Sequence, residues 1–157
     1  MLAGACGLGI GLGLIRSDFG VIGREMVVQE WMSQSDLGEL AALNMVGYLL
    51  GCVHQAQLKG KAQLLRSLRL ALVVGVLCLW LGAVQSGQLG EGGLRVLAGW
   101  GAGHLMSGLP GLALAGVPAR HQRQGVATVM GGGALVALLG ASAVAWLAPS
   151  SAAGAWL

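Results

Sequence analysis

Two opposite charges, Arg16 and Asp18, interrupt the apolar and glycine-rich segment at residues 2–29. Ionisable residues at membrane depth are costly, and they usually face the interior of a helical bundle or a water-filled path. An arginine can hold an anionic group through two parallel hydrogen bonds. A carboxylate can carry a proton, since burial favours its neutral form whereas a neighbouring cation favours its charged form. The chemistry predicted for these residues is binding of an anionic substrate group or of a proton.

A structural interpretation of the same residues remains open, in which they neutralise other charges and fix the register of a helix. Residues two apart lie about 200° apart around a helix, so Arg16 and Asp18 need separate partners. We expect Arg95 as the partner of Asp18, which leaves Arg16 for a substrate or for another acid.

Other polar residues within apolar stretches allow two interpretations each. His104 can relay protons or can be a hydrogen-bonded core residue. Asn44 and Tyr48 can contact a ligand or can form hydrogen bonds between helices.

The composition is that of a membrane protein. Only 10% of the 157 residues are charged, 55% are hydrophobic and the mean hydropathy is +0.76, whereas soluble domains have about 25% charged residues. A membrane-spanning helix needs about 20 apolar residues, so this length allows five or six spans and no separate soluble domain.

The predicted fold is all-α, a single membrane domain over residues 1–157 with five membrane-spanning helices and the start of a sixth. The spans are predicted at residues 2–29, 37–58, 64–84, 94–117 and 125–148, and the start of a sixth at 152–157. The glycine-rich segment at residues 85–93, which contains Glu91, is predicted as a turn. Ser35 or Asp36 is expected to cap the second helix, with Glu39 completing a capping box if Asp36 is the cap.

Glycines at helical spacing predict where two helices approach closely, because a missing side chain lets backbones meet. The predicted packing glycines are Gly7, Gly11, Gly47, Gly51, Gly99, Gly103, Gly131, Gly132 and Gly133. A phosphate-binding loop is a poor alternative for the first glycines, since no strand precedes them.

Basic residues concentrate between the second and third spans and between the fourth and fifth. They are Lys59, Lys61, Arg66, Arg69, Arg120 and Arg123. Lysine and arginine are enriched in cytoplasmic loops. We therefore expect these two loops and the N-terminus in the cytoplasm, and we expect no nucleic-acid partner.

The run from Gly9 to Gly51 resembles the first two helices of the YbfB/YjiJ-like branch of the major facilitator superfamily. The matching residues are Arg16, Phe19, Asn44 and the sequence GYLLG at residues 47–51. The segment LRVLAGWGAG at residues 94–103 resembles the fourth-helix motif of the superfamily, and the run Gly131 to Gly133 lies where the branch has glycine packing. The loop between the second and third spans keeps the bases of the superfamily signature but has no aspartate.

The resemblance implies the N-terminal six-helix half of a secondary active transporter in a bacterial inner membrane. Such a protein moves a small solute by alternating access, and proton coupling is one option. The resemblance places six residues around a central cavity: Arg16, Asp18, Asn44, Tyr48, Arg95 and His104. The expected partners are the lipid bilayer, the solute, and a missing C-terminal half or a second copy of the chain.

The alternative function is a small, non-transporting helical membrane scaffold or assembly protein. It predicts that replacing Arg16 changes abundance or assembly, with no solute flux to lose. An enzyme is not expected, because the sequence has no HExxH motif, no GxSxG motif and no carboxylate pair with catalytic spacing. No cofactor and no metal are expected.

Overall fold

A computed structural model of the chain describes residues 2–9, 11, 23, 24, 26–82 and 87–147. Every regular element in these residues is helical, and no strand occurs among them, which confirms the predicted all-α class. The helices are α1 (Leu2–Gly9), α2 (Gln34–Gln57), α3 (Lys61–Leu81), α4 (Gly87–Leu114) and α5 (Gln122–Leu147), with a 3₁₀ turn at Ala119–His121 before α5. Arg16, Asp18 and the predicted sixth span lie outside the described residues.

Three helical segments are long and apolar enough to cross a membrane: Gln34–Gln57, Lys61–Leu81 and Ala119–Ala143. They are compatible with a membrane protein, but they are fewer than the five spans predicted from the sequence. Most of the predicted first span falls outside the described residues. Helix α4 has 28 residues and so a length of about 42 Å, but its ionisable residues and many glycines lower its hydropathy.

Helix α4 lies in the middle of the described bundle. It packs against α1, α2, α3 and α5, and α1 also packs along α5. Residues 58–60 join α2 to α3. Because α4 packs against four other helices, its ionisable side chains Glu91, Arg95 and His104 are buried, and a high hydropathy is not required of this helix.

Helix α3 has one buried face and one exposed face, and both are apolar. The face toward α4 contains Leu68, Ala71, Gly75 and Cys78, all of them buried. The opposite face is equally apolar and is exposed, with Leu70, Val73, Val76, Leu77 and Trp80 each at least half accessible. A helix that is apolar on all sides, with one side packed on its neighbours, is suited to have lipid on the other.

The turn predicted at residues 85–93 is wrong from Gly87 onward, because α4 begins there. Gly87 has a φ of 76°, which favours glycine. The following glycines indicated a turn by composition, but Gly92 packs against Leu43 of α2. Tertiary contact thus stabilises a helix in a sequence of low helix propensity, and it places Glu91 inside that helix.

The N-cap of α2 was predicted at Ser35 or Asp36, and this prediction is also wrong, because the helix begins earlier in the chain. Ser33 is the N-cap residue, its Oγ accepting a hydrogen bond from the Asp36 backbone N–H at 3.2 Å. The Asp36 carboxylate accepts in return from the Ser33 backbone N–H at 2.9 Å. Asp36 is therefore the third residue of the capping box, and Glu39 takes no part in it.

Candidate functional site

A buried ion pair lies on the central helix. The Nη2 atom of Arg95 is 3.6 Å from Oε2 of Glu91, and each side chain is only 4% exposed. The residues are four apart with the acid nearer the N-terminus, which is the favourable orientation for such a pair. Charges held away from water are costly unless they are compensated, and each of these two side chains provides part of the compensation for the other.

The close approach of α2 to α4 positions this pair. The side-chain amide of Asn44, itself buried, donates a hydrogen bond to the Arg95 carbonyl at 3.1 Å. A Cβ atom on Gly99 would overlap the Asn44 carbonyl oxygen, and one on Gly47 would overlap the Val96 carbonyl oxygen. Only glycine at these positions lets the two backbones come near enough for Asn44 to reach α4.

The same contact continues one turn further along both helices. A Cβ on Gly51 would overlap the Trp100 carbonyl oxygen, and a Cβ on Gly103 would overlap that of Tyr48. Glycines of α2 thus face the backbone of α4, and glycines of α4 face the backbone of α2. Four of the glycines expected at helix contacts lie in this one interface.

The glycines of α1 face two different helices. Gly7 faces Leu109 of α4, while Gly9 faces Val136 of α5; Gly11, two residues beyond the end of α1, faces Leu105 of α4. Helix α1 therefore lies between α4 and α5.

The glycine run of α5 is only partly packed. Gly133 is buried and Gly132 half-buried, but Gly131 is exposed, and a Cβ there would meet no heavy atom of the described residues. Among the described residues nothing contacts this face of Gly131, so its helix contact stays a prediction. Consecutive helical residues point in directions about 100° apart, so three glycines in a row cannot all face one neighbour.

A cavity of about 50 Å³ reaches the ion pair from the N-terminal end of α4. Its lining consists of Met26, Trp31, Met32, Asp36, Leu40, Gly87, Gln88 and Glu91. Since one water molecule requires roughly 10–15 Å³ by this kind of measure, the cavity has room for a few. Glu91 is the innermost ionisable group of this lining, because its side chain is buried and Asp36 is partly exposed.

Hydrogen bonds organise the outer edge of the cavity. The side-chain amide of Gln88 donates to Asp36 at 3.0 Å and to Glu39 at 3.2 Å. Asp36 thus belongs both to the cap of α2 and to the cavity wall. The first turns of α2 and α4 are tied together at this point.

A second polar cluster surrounds His104, which is completely buried. Its Nδ1 lies 3.0 Å from the Trp100 carbonyl oxygen and donates to it in the matching tautomer. Its ring centroid lies 4.1 Å from that of Trp100 and 4.9 Å from that of the exposed His54, edge to face. Within the part of the chain that the structure describes, the Nε2 atom has no hydrogen-bond partner.

The residues expected around one central cavity are found in two places. Asn44 and Arg95 meet near the N-terminal half of α4, whereas His104 lies nine residues further on, about 13 Å along the helix axis. Tyr48 is half-buried and packs against the apolar core between α3 and α4. Arg16 and Asp18 lie outside the described residues.

Glu91 is the functional candidate that the sequence interpretation missed. It was expected in a turn, and Asp18 was expected as the partner of Arg95. The spacing of four between Glu91 and Arg95 in EGGLR would have indicated the pair had that segment been assigned to a helix. Composition was a poor guide here, because the packing of α2 on α4 decides where α4 begins.

The arrangement can exchange protons with water. A carboxylate beside a cavity with room for water can bind or release a proton, and an arginine one turn away responds to the change of charge. A metal site has less support, since the described residues contain no group of three or more histidine, cysteine, aspartate or glutamate side chains placed to hold an ion.

Comparison of the chain with protein-family models, with curated proteins and with solved structures finds no match. The function must therefore be inferred from these side chains and their positions.

Proposed function

We propose that the chain is the N-terminal half of a secondary active transporter of the major facilitator type, moving a small solute across a bacterial inner membrane by alternating access. The buried Glu91–Arg95 pair on the central helix is the observation that carries this proposal. Ionisable residues inside membrane helices are rare and mark substrate, ion or proton pathways.

The distribution of polarity supports the same function. The ionisable groups of α4 are buried, while the outer faces of α2, α3 and α5 expose valine, leucine and tryptophan. A membrane protein arranged in this way keeps its polar chemistry inside the bundle. Alternating access requires two bundles that move about a shared site, so the partner is a C-terminal half or a second copy of this chain.

The orientation follows from the charges at the two ends of the helices. Lys59 and Arg120 lie at one end, in the connections at residues 58–60 and 115–121, and Lys61 begins α3 at the same end. Asp36 and Glu39 lie at the other end. By the positive-inside rule the basic connections and the N-terminus are cytoplasmic, and the cavity beside Glu91 opens toward the outer side.

The first experiment is to read the coding sequence downstream of Leu157. We expect it to continue through six or seven further membrane spans. A stop codon directly after Leu157 would leave a second copy of the chain as the only partner that permits transport.

The second experiment measures transport by the complete protein in proteoliposomes on a solid-supported membrane. Concentration jumps of amino acids, organic acids and sugars serve as probes, and we expect one class to displace charge. Arg95→Gln should abolish that current, whereas Arg66→Gln, at an exposed position of α3, should retain it. A current unchanged in Arg95→Gln would contradict the role given to the ion pair.

A non-transporting scaffold is the second candidate, favoured by the close contact between α2 and α4. Backbones that interlock through four glycines suit a helix pair that need not move. This function predicts that Arg16→Ala and Arg95→Gln change the abundance or assembly of the protein, with no probe displacing charge even in the unsubstituted protein.

A further inference from the structure

We propose that the groove between the start of α3 and the end of α4 is a binding site for an anionic phospholipid, whose headgroup lies beside Lys59 and Lys61. The inference does not depend on the transport function proposed above, because a membrane protein of any activity can bind such a lipid. It concerns the basic end of the bundle, opposite the cavity beside Glu91.

The groove lies where the connection between α2 and α3 passes the end of α4. Its volume is about 300 Å³, at the lower end of the range of about 300–1,000 Å³ that is typical of small-molecule sites. Gly111 opens the groove on the side of α4, since a Cβ atom there would meet no heavy atom of the described residues. The lining consists of Leu58, Lys59, Gly60, Lys61, Leu64, Gly111, Leu112 and Ala115.

The lining contains two positive charges and no negative charge. Lys59 and Lys61 are exposed, and they are the ionisable residues of the groove. The sequence has no aspartate or glutamate between Glu39 and Glu91 and none after Glu91. Among the described residues, no carboxylate lies within ion-pair distance of either lysine. An anion from outside the described bundle is therefore complementary to the groove.

The apolar part of the lining favours a lipid over a soluble anion. Leu58, Leu64 and Leu112 are half-buried beside the lysines, so a ligand that covers them must present hydrocarbon as well as an anionic group. Further along α3, Leu70 and Val73 are more than half exposed, on a helix apolar enough to cross a membrane. The acyl chains of the bilayer thus reach the same helix, and a phospholipid carries its phosphate at the membrane surface, where the lysines lie.

Lysine side chains suit such a position. Their hydrocarbon stems lie along apolar surface while the ammonium groups stay among the headgroups. Basic pockets between membrane helices on the cytoplasmic side bind anionic headgroups, and each lysine near an anionic membrane strengthens binding about fivefold. Together, Lys59 and Lys61 should favour an anionic lipid over a zwitterionic one by about 25-fold.

Two other depressions of similar size lack this combination of groups. One of them, of about 480 Å³ at the acidic end, has Glu39 and Gln88 among apolar neighbours and contains no lysine or arginine. The other, of about 400 Å³ at the basic end, contains Pro118, His121 and Gln124 and likewise has no lysine or arginine. The lysine pair, and not the size of the space, therefore distinguishes the proposed site.

Native mass spectrometry of the complete protein tests the headgroup preference, because it resolves single bound lipids. The probes are phosphatidylglycerol and phosphatidylcholine with identical acyl chains, so that the headgroup is the difference between them. For the first lipid bound, we expect phosphatidylglycerol to bind about 25-fold more tightly to the unsubstituted protein. Equal binding of the two lipids would overturn the proposal.

The variant Lys59→Gln/Lys61→Gln should abolish this preference. Its matched control is Arg120→Gln/Arg123→Gln, which removes two exposed positive charges from the same end of the bundle but outside the groove. The control should keep the preference of the unsubstituted protein. An equal loss in both variants would show a diffuse attraction to the whole basic end and would overturn the site.

Gly111→Phe tests the groove while both lysines remain. The aromatic ring should fill the space and abolish the preference for phosphatidylglycerol. Gly116→Phe is the control, because a Cβ atom on Gly116 also meets no described atom but lies outside the groove. A preference that survives in folded Gly111→Phe would overturn the groove as the site, and the lysine variants decide the question if Gly111→Phe does not fold.

Glycerol 3-phosphate distinguishes a lipid from a free phosphate, because it carries the anionic group without acyl chains. At the concentration of the lipid, it should leave phosphatidylglycerol bound. Displacement would show that the lysines recognise phosphate alone and would overturn the assignment to a lipid. None of these measurements needs flux, so their outcome is independent of the outcome for transport.

Discussion

Glu91 and Arg95 are oppositely charged side chains that are both buried and that lie one helical turn apart on α4. Each compensates part of the charge of the other at a distance of 3.6 Å, so the contribution of either residue to stability depends on the presence of its neighbour. Asn44 contributes at the same scale through one interhelical hydrogen bond to the Arg95 backbone. Both interactions can be tested by substitutions that leave the helices themselves intact.

Removing one member of the ion pair should be worse than removing both. Arg95→Met alone should lower the free energy of unfolding by about 3–5 kcal/mol, because the buried carboxylate of Glu91 loses the cation one helical turn away. The double variant Glu91→Gln/Arg95→Met should recover most of this loss. Unfolding in mixed micelles measures both, and additive effects of the two substitutions would contradict the pairing.

Asn44→Ala should lower the free energy of unfolding by about 1–2 kcal/mol, since the Arg95 carbonyl loses a buried donor. Gln57→Ala, at an exposed position near the end of the same helix, should change it by less than about 0.5 kcal/mol. The same unfolding assay compares them. Equal losses for the two variants would show that the hydrogen bond contributes nothing specific.

At the scale of helices, the bundle depends on how close α2 comes to α4. The backbones of these helices meet at Gly47, Gly51, Gly99 and Gly103, and the atoms that a Cβ would meet are main-chain atoms. A main chain held in a helix cannot move aside as the end of a flexible side chain can. The contact therefore has little tolerance for even one added methyl group.

Gly99→Ala should destabilise the protein by about 1–3 kcal/mol, because the helices must separate to admit the methyl group. Gly93→Ala lies on the same helix where a Cβ would meet no described atom, and it should be neutral or stabilising by up to about 1 kcal/mol through helix propensity. The difference between the two variants in unfolding free energy is the measurement. Similar values would contradict the close contact.

At the scale of the whole molecule, the described bundle separates charge between its two ends. Asp36 and Glu39 lie at the end that contains the cavity, together with Arg24, whereas Lys59, Lys61, Arg120 and Arg123 lie at the other end. This polarity predicts how the protein is inserted, because basic segments stay in the cytoplasm.

Cysteine labelling in intact cells tests the predicted insertion, in a variant whose native cysteines are replaced by alanine. Leu89→Cys, at a position that is 95% exposed at the acidic end, should react with a membrane-impermeant maleimide. Lys59→Cys, at the basic end, should react only after the cells are opened. The reverse pattern would show that the orientation is inverted.

The sequence alone determined the all-helical class and the apolar character of the chain. It also indicated the spacing of the glycines that meet between α2 and α4 and the polarity of the two ends. These properties are local, since composition and a period of 3.6 residues decide which residue types share a helical face. Asn44 and Arg95 could therefore be selected as candidates before their contact was known.

The tertiary structure decided which of those faces meet. It placed α4 at the centre, where a helix rich in glycine and charge can be stable, and so moved Glu91 from an expected turn into a buried pair. It also packed Gly133 and left Gly131 exposed. Helical periodicity defines the faces of a helix, but only the packing of its neighbours determines which face is buried and which charges compensate each other.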